Sequence, residues 1–100
     1  MPGTLDGQTA IVTGGAGGIG SRIARTFCAE GAAVVIASRG REKLEVLAAE
    51  LTGEGYRCAA IPTDVTKPEE VTAMVSGTLE AFGGLDIMVN NAGGAMFIKP

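Results

Sequence analysis

The chain has 100 residues, 46% of them hydrophobic and 19% charged, which allows one small domain with a core and argues against disorder. Its formal charge of −3, with no basic cluster, disfavours nucleic acid as a partner. Histidine is absent, Cys28 and Cys58 have no metal-ligand spacing, and the longest apolar run, Ala32 to Ala37, is far too short to cross a bilayer, which disfavours zinc sites, catalytic triads and membrane insertion.

Asp6-Gly7 is a turn signal, and Thr9 to Thr13 (TAIVT) follows as a β-branched run that predicts a buried strand. After a glycine-rich stretch, Ile19, Ile23, Ala24, Phe27 and Cys28 recur at helical spacing, and Gly31 supplies the stop. Ala33 to Ala37 (AVVIA) is apolar throughout, as expected of a strand covered on both faces. Beyond the Ser38-Arg39-Gly40 loop, Leu44, Leu47, Ala48 and Leu51 mark one face of a second helix that ends near Gly53. Arg57 to Ile61 predicts a weaker strand, and Pro62 suits an edge position because proline cannot donate to a sheet ladder.

Thr66-Lys67-Pro68-Glu69 fits a capping box, opening a helix that carries Val71, Met74, Val75, Leu79 and Phe82 and ends at Gly83-Gly84. Asp86 to Asn90 (DIMVN) predicts a fourth strand, and Asn91 to Pro100 a loop. The order βαβαβαβ, with right-handed crossovers, predicts an α/β doubly wound parallel sheet of strand order 3-2-1-4. Residues 1–100 would form part of a dinucleotide-binding domain. The opening MPGTLDGQTA lacks the pattern of a secretory signal, and the two cysteines read as small buried hydrophobes. A cytoplasmic location is therefore expected.

The stretch Thr13 to Gly20 reads TGGAGGIG. A glycine-rich turn between strand and helix lets a pyrophosphate approach unpaired backbone N–H groups without meeting Cβ atoms. The glycines fit two frames: Gly15, Gly17 and Gly20 spell G-x-G-x-x-G, while Thr13, Gly14, Gly18 and Gly20 spell T-G-x-x-x-G-x-G. A mononucleotide P-loop fails, because Ser21-Arg22 follow Gly20 where Lys and Ser/Thr are required. The first frame predicts a carboxylate at the end of the second strand to bind ribose hydroxyls. Ser38 and Arg39 stand there instead, and a guanidinium suits a ribose 2′-phosphate, so NADP is expected over NAD.

With Thr13-Gly14, Gly18-Ile19-Gly20, Asp64-Val65 after the third strand and Asn90-Asn91-Ala92-Gly93 after the fourth, the chain resembles the short-chain dehydrogenase/reductase family. The resemblance implies a Rossmann-like fold and an oxidoreductase that moves hydride between a nicotinamide cofactor and a carbonyl/alcohol or enoyl-type small molecule. It selects the frame starting at Thr13, so that the turn Thr13, Gly14, Gly15, Ala16, Gly17, Gly18, Ile19 and Gly20 holds the pyrophosphate. It assigns Asp64 to the adenine amino group, and Asn90 to Gly93 to the ribose and nicotinamide side. Gly17 stands where NADP-preferring members often carry a basic residue, which leaves Arg39, helped by Arg41, to read the 2′-phosphate.

The family's catalytic Tyr-x-x-x-Lys pair has no match in these residues. The one tyrosine, Tyr56, is followed four positions on by Ala60, and Lys43, Lys67 and Lys99 are not suitably placed. The expectation is a cofactor-binding half, inactive alone, of a protein that forms homo-oligomers. A non-catalytic nucleotide-binding module or an inactive fragment is the alternative. The fourth strand is expected to present a bare apolar edge.

Overall fold

A computed structural model describes residues 3–14 and 17–91, and the backbone of 95–98. Its elements run β1 (Thr9–Thr13), α1 (Gly18–Ala29), β2 (Ala33–Ala37), α2 (Arg41–Gly53), β3 (Cys58–Ala60), α3 (Pro68–Phe82), β4 (Ile87–Asn90) and β5 (Ala95–Ile98). The sheet order is β3-β2-β1-β4-β5. The first four strands in this order are mutually parallel, as the alternation of apolar runs and amphipathic helices predicts, and β3 with its following Pro62 lies at one edge.

The period-two alternation of the strands divides the core between two faces. Val12, Val34, Ile36 and Val89 face Ala24 and Cys28 of α1 and Leu44 and Leu51 of α2, while Ile11, Val35 and Ala37 face Met74 of α3. Every residue of β1 and β2 is buried, which is why these strands read as continuous apolar runs. Cys28 is buried, Cys58 is half-buried, and both thiols are free. No helix among the described residues is long and apolar enough to cross a membrane.

α1 ends as predicted. Gly31 takes φ 97°, Ala32 N–H bonds back to Phe27 O at 3.0 Å, and a Cβ at Gly31 would run into the Asp6 carboxylate.

Four expectations need correction. The tail beyond Asn91 contains a strand: Ala95–Ile98 pairs antiparallel with β4, in the register Ile87↔Ile98 to Asn90↔Ala95. β4 therefore has a partner on the side expected to be bare. Unpaired strand-edge groups favour any extended neighbour, and an antiparallel partner needs only a short connection.

The capping box does not form. Lys67 is the N-cap of α3, without a side-chain cap, and the Thr66 hydroxyl donates to the Asp64 carboxylate at 2.6 Å. The Thr66 N–H, which Glu69 would accept in a capping box, goes to the Asp64 carboxylate at 3.0 Å instead. Two members of the helical apolar stripes are also exposed, Ile19 by 69% and Leu79 by 47%. On α3 the buried line is Met74 and Thr78, where the Thr78 hydroxyl is satisfied by Met74 O of its own helix at 2.8 Å.

Candidate functional site

The parallel register brings the carboxyl ends of three strands level, with Thr13 of β1 between Ala37 of β2 and Asn90 of β4. In an open α/β sheet this end, where the strand order reverses, is the ligand crevice. Thr13 is buried, and its Oγ1 donates to Asn90 Oδ1 at 3.1 Å and approaches Val89 O at 3.3 Å. The hydroxyl thereby ties β1 to β4 at the mouth of the crevice and orients the Asn90 amide. Asn91 follows, half-buried.

From Thr13 the chain turns sharply. Gly14 takes φ 68°, a conformation that suits glycine, and its N–H donates to Ala37 O at 2.7 Å. Gly17 is the N-cap of α1, its own N–H bonded to Gly14 O at 3.1 Å. The first intrahelical bond is Ser21 N–H to Gly17 O at 2.7 Å. The N–H groups of Gly18, Ile19 and Gly20 have no acceptor among the described residues, and α1 has neither a side-chain cap nor an acidic residue in its first turn. The Ser21 hydroxyl is turned back to Gly18 O at 3.0 Å.

A Cβ at Gly18 would meet nothing within 4 Å, and one at Gly17 only Gly14 O at 3.5 Å. Packing among the described residues does not demand glycine at either position. A ligand approaching the bare N–H groups would. Gly20 is buried against the fold. The open cradle, the uncapped helix and the helix dipole together suit a pyrophosphate. Gly15, Ala16, Ala92 and Gly93 lie outside the described residues.

Beside this turn lies a cleft of about 210 Å³, lined by Gly14, Ala37, Ser38, Arg39 and residues 63–66. It unites Ser38, Arg39, Asp64 and Val65 with the glycine turn, as their positions at strand ends predict. Thr63 N–H donates to Ser38 O at 2.7 Å, joining the β2 and β3 ends across the floor. Arg39 is exposed and has no ion pair among the described residues. Arg41 pairs with Glu45 at 3.6 Å and does not line the cleft.

Asp64 is held on several sides. Its Oδ1 accepts Thr66 N–H at 3.0 Å and the Thr66 hydroxyl, its own N–H donates to Glu70 Oε1 at 2.8 Å, and its carbonyl accepts Lys67 N–H at 3.0 Å. No hydrogen bond from the described residues reaches Oδ2, and the Val65 N–H has no partner among them either.

The Thr66 hydroxyl and then its N–H hold the Asp64 carboxyl below its ordinary value of 3.8, aided by the charges of Arg39 and Lys67. A lowered folded value means that this carboxylate stabilises the loop above the ordinary carboxylate range. That contribution is lost as pH falls through the lowered value. NMR titration should find Asp64 ionised throughout pH 5 to 8, so no loss of loop order is expected there.

Sequence reasoning missed Thr63, Thr66 and Glu70. The polar run TDVT directly after a strand was a signal for the two threonines. Tyr56 packs against the core on the α1–α2 face and is not part of the cleft wall.

Comparison with known proteins agrees with this geometry. The family model for the short chain dehydrogenases matches residues 8–99. The chain is 50% identical over 86 residues to the uncharacterized oxidoreductase YxjF of Bacillus subtilis, covering 86% of this chain and 34% of that protein. It is 47% identical over 94 residues to the peroxisomal 2,4-dienoyl-CoA reductase of Danio rerio, covering 93% of this chain and 31% of that protein. Hydroxysteroid dehydrogenase from Escherichia coli superposes with a TM-score of 0.83 at 35% identity, over 86% of this chain and 36% of that one. Glucose dehydrogenase of Caenorhabditis elegans does so with a TM-score of 0.82 at 36% identity, over 88% and 38%.

The chain spans about a third of the length of the curated relatives it matches. The family binds a nicotinamide cofactor, and the open glycine turn and adjoining cleft fit the phosphate and adenosine parts of one. With the family model matched from strand β1 onward and the strand-end motifs gathered at one crevice, the chain belongs to the short-chain dehydrogenase family.

Proposed function

We propose that this chain is the NADP(H)-binding part of an oxidoreductase that interconverts a carbonyl/alcohol or enoyl-type pair on a small molecule. The observation that carries the NADP preference is Arg39. It is exposed on the cleft wall at the end of β2 without an ion-pair partner among the described residues, and Ser38 replaces the carboxylate that would repel a phosphate.

In this reading the Gly18, Ile19 and Gly20 N–H groups hold the pyrophosphate, the Arg39 guanidinium holds the 2′-phosphate, and Asp64 Oδ2 accepts from the adenine amino group. Thr13 and Asn90 keep the strand ends in register beneath the ribose side. When bound, the nicotinamide supplies or accepts the hydride. The activities of similar proteins, a dienoyl-CoA reductase and dehydrogenases of hydroxysteroid and glucose, support the reaction class and span too wide a range to select one substrate.

Titration of the chain with NADPH and with NADH tests the binding reading. Saturable binding with NADPH at least about tenfold tighter is the expected result. Equal or tighter binding of NADH would remove the NADP preference, and no binding of either would remove the site. Asp64→Ala should weaken both dinucleotides by a similar factor, about tenfold, because both carry adenine. A loss confined to NADPH would contradict the adenine assignment.

A further inference from the structure

Glu70 occupies an unusual place for a carboxylate in the first turn of a helix. As the third residue of α3 it would ordinarily reach back to the N-cap N–H, here that of Lys67. Its Oε1 passes over that group and takes the Asp64 N–H, six residues back, at 2.8 Å, while Oε2 stands 3.8 Å from Lys67 Nζ. The Lys67 N–H meanwhile donates to the Asp64 carbonyl. Both backbone groups of Asp64 are thus held by the start of α3, and Thr66 holds one carboxylate oxygen. No donor among the described residues reaches Oδ2, which is left to accept from a ligand.

We propose that Glu70 is a positioning residue for adenine recognition: by taking the Asp64 N–H it fixes the loop 63–66 with the second carboxylate oxygen of Asp64 free for the adenine amino group. This role rests on the dinucleotide reading of the cleft. Glu70 does not line the cleft itself, so it acts through Asp64. Its contribution is preorganisation, because a loop ordered before binding need not lose that freedom when ligand arrives. The acceptor lone pair is what matters for holding an N–H, and glutamine keeps one.

The test compares the native chain with Glu70→Ala and Glu70→Gln by NADPH and NADH titration, amide hydrogen exchange at Asp64 without ligand, and thermal melting. Glu70→Ala should weaken both dinucleotides by the same factor, about tenfold, and speed exchange of the Asp64 amide, with the melting midpoint nearly unchanged. Glu70→Gln should stay within about threefold of native binding and keep the amide protected. The role falls if Glu70→Ala binds as the native chain does, or if Glu70→Gln loses as much as Glu70→Ala. A native chain that binds neither dinucleotide overturns the dinucleotide reading and this role with it. Native-like binding by Glu70→Ala removes only the role of Glu70.

Discussion

Replacing Arg39 by aspartate is expected to weaken NADPH about a hundredfold while leaving NADH within about threefold of its native affinity. The two dinucleotides differ only in the 2′-phosphate, so the ratio isolates whatever reads that group. Arg39 has no ion-pair partner among the described residues, and its removal strands no buried charge. The variant should therefore fold as the native chain does, and the loss should lie in binding alone. Because the guanidinium is exposed, the native preference for NADPH should shrink as salt rises, with a screening length of about 8 Å near physiological ionic strength.

Asp64 supplies an internal check. Arg39 is one of the charges holding its carboxyl low, so the Asp64 pKa should move up in Arg39→Asp. Titration calorimetry with both cofactors gives the ratio. Parallel losses for NADPH and NADH would show that Arg39 serves the whole site and does not read the phosphate.

The second large effect is expected at Gly18. Gly18→Val should abolish measurable binding of both dinucleotides, a loss of at least about a hundredfold, while the melting midpoint stays level or rises slightly. The backbone of Gly18 is helical, a Cβ there would meet nothing within 4 Å, and valine has the higher helix propensity. The added isopropyl group would project into the space above free N–H groups where phosphates must approach. Few substitutions separate folding from binding so cleanly. Gly14 does not serve, because its φ of 68° would confound strain with lost affinity. Thermal melting beside NADPH titration decides the matter, and a Gly18→Val chain that binds normally would show that the pyrophosphate lies elsewhere.

Much of the site was legible along the chain because its parts are local. The glycine turn, Ser38-Arg39, Asp64-Val65 and Asn90-Asn91 each follow a recognisable strand, and parallel strands must bring such ends to one side of a sheet. Arg41 has a carboxylate one helical turn away at Glu45, and the two form an exposed i,i+4 pair. The capping box at Thr66 failed because the pattern ignored Asp64, whose carboxylate takes the Thr66 N–H that Glu69 would accept.

The amino-acid order by itself determined the first seven elements, the 3-2-1-4 parallel sheet and the family, because hydrophobic period and turn chemistry are written within a few residues. Tertiary structure decided what depends on partners distant in the chain or on geometry no pattern records. It placed Ala95–Ile98 against the open side of β4, satisfying backbone groups that local propensity does not count. It rotated α3 so that Thr78 lies inside and Leu79 outside, a matter of which helical ridge meets the sheet. It also drew Glu70 onto the Asp64 N–H, so that the start of α3 holds the loop 63–66. Hydrogen-bond competition is settled in three dimensions, where the best acceptor is the nearest in space.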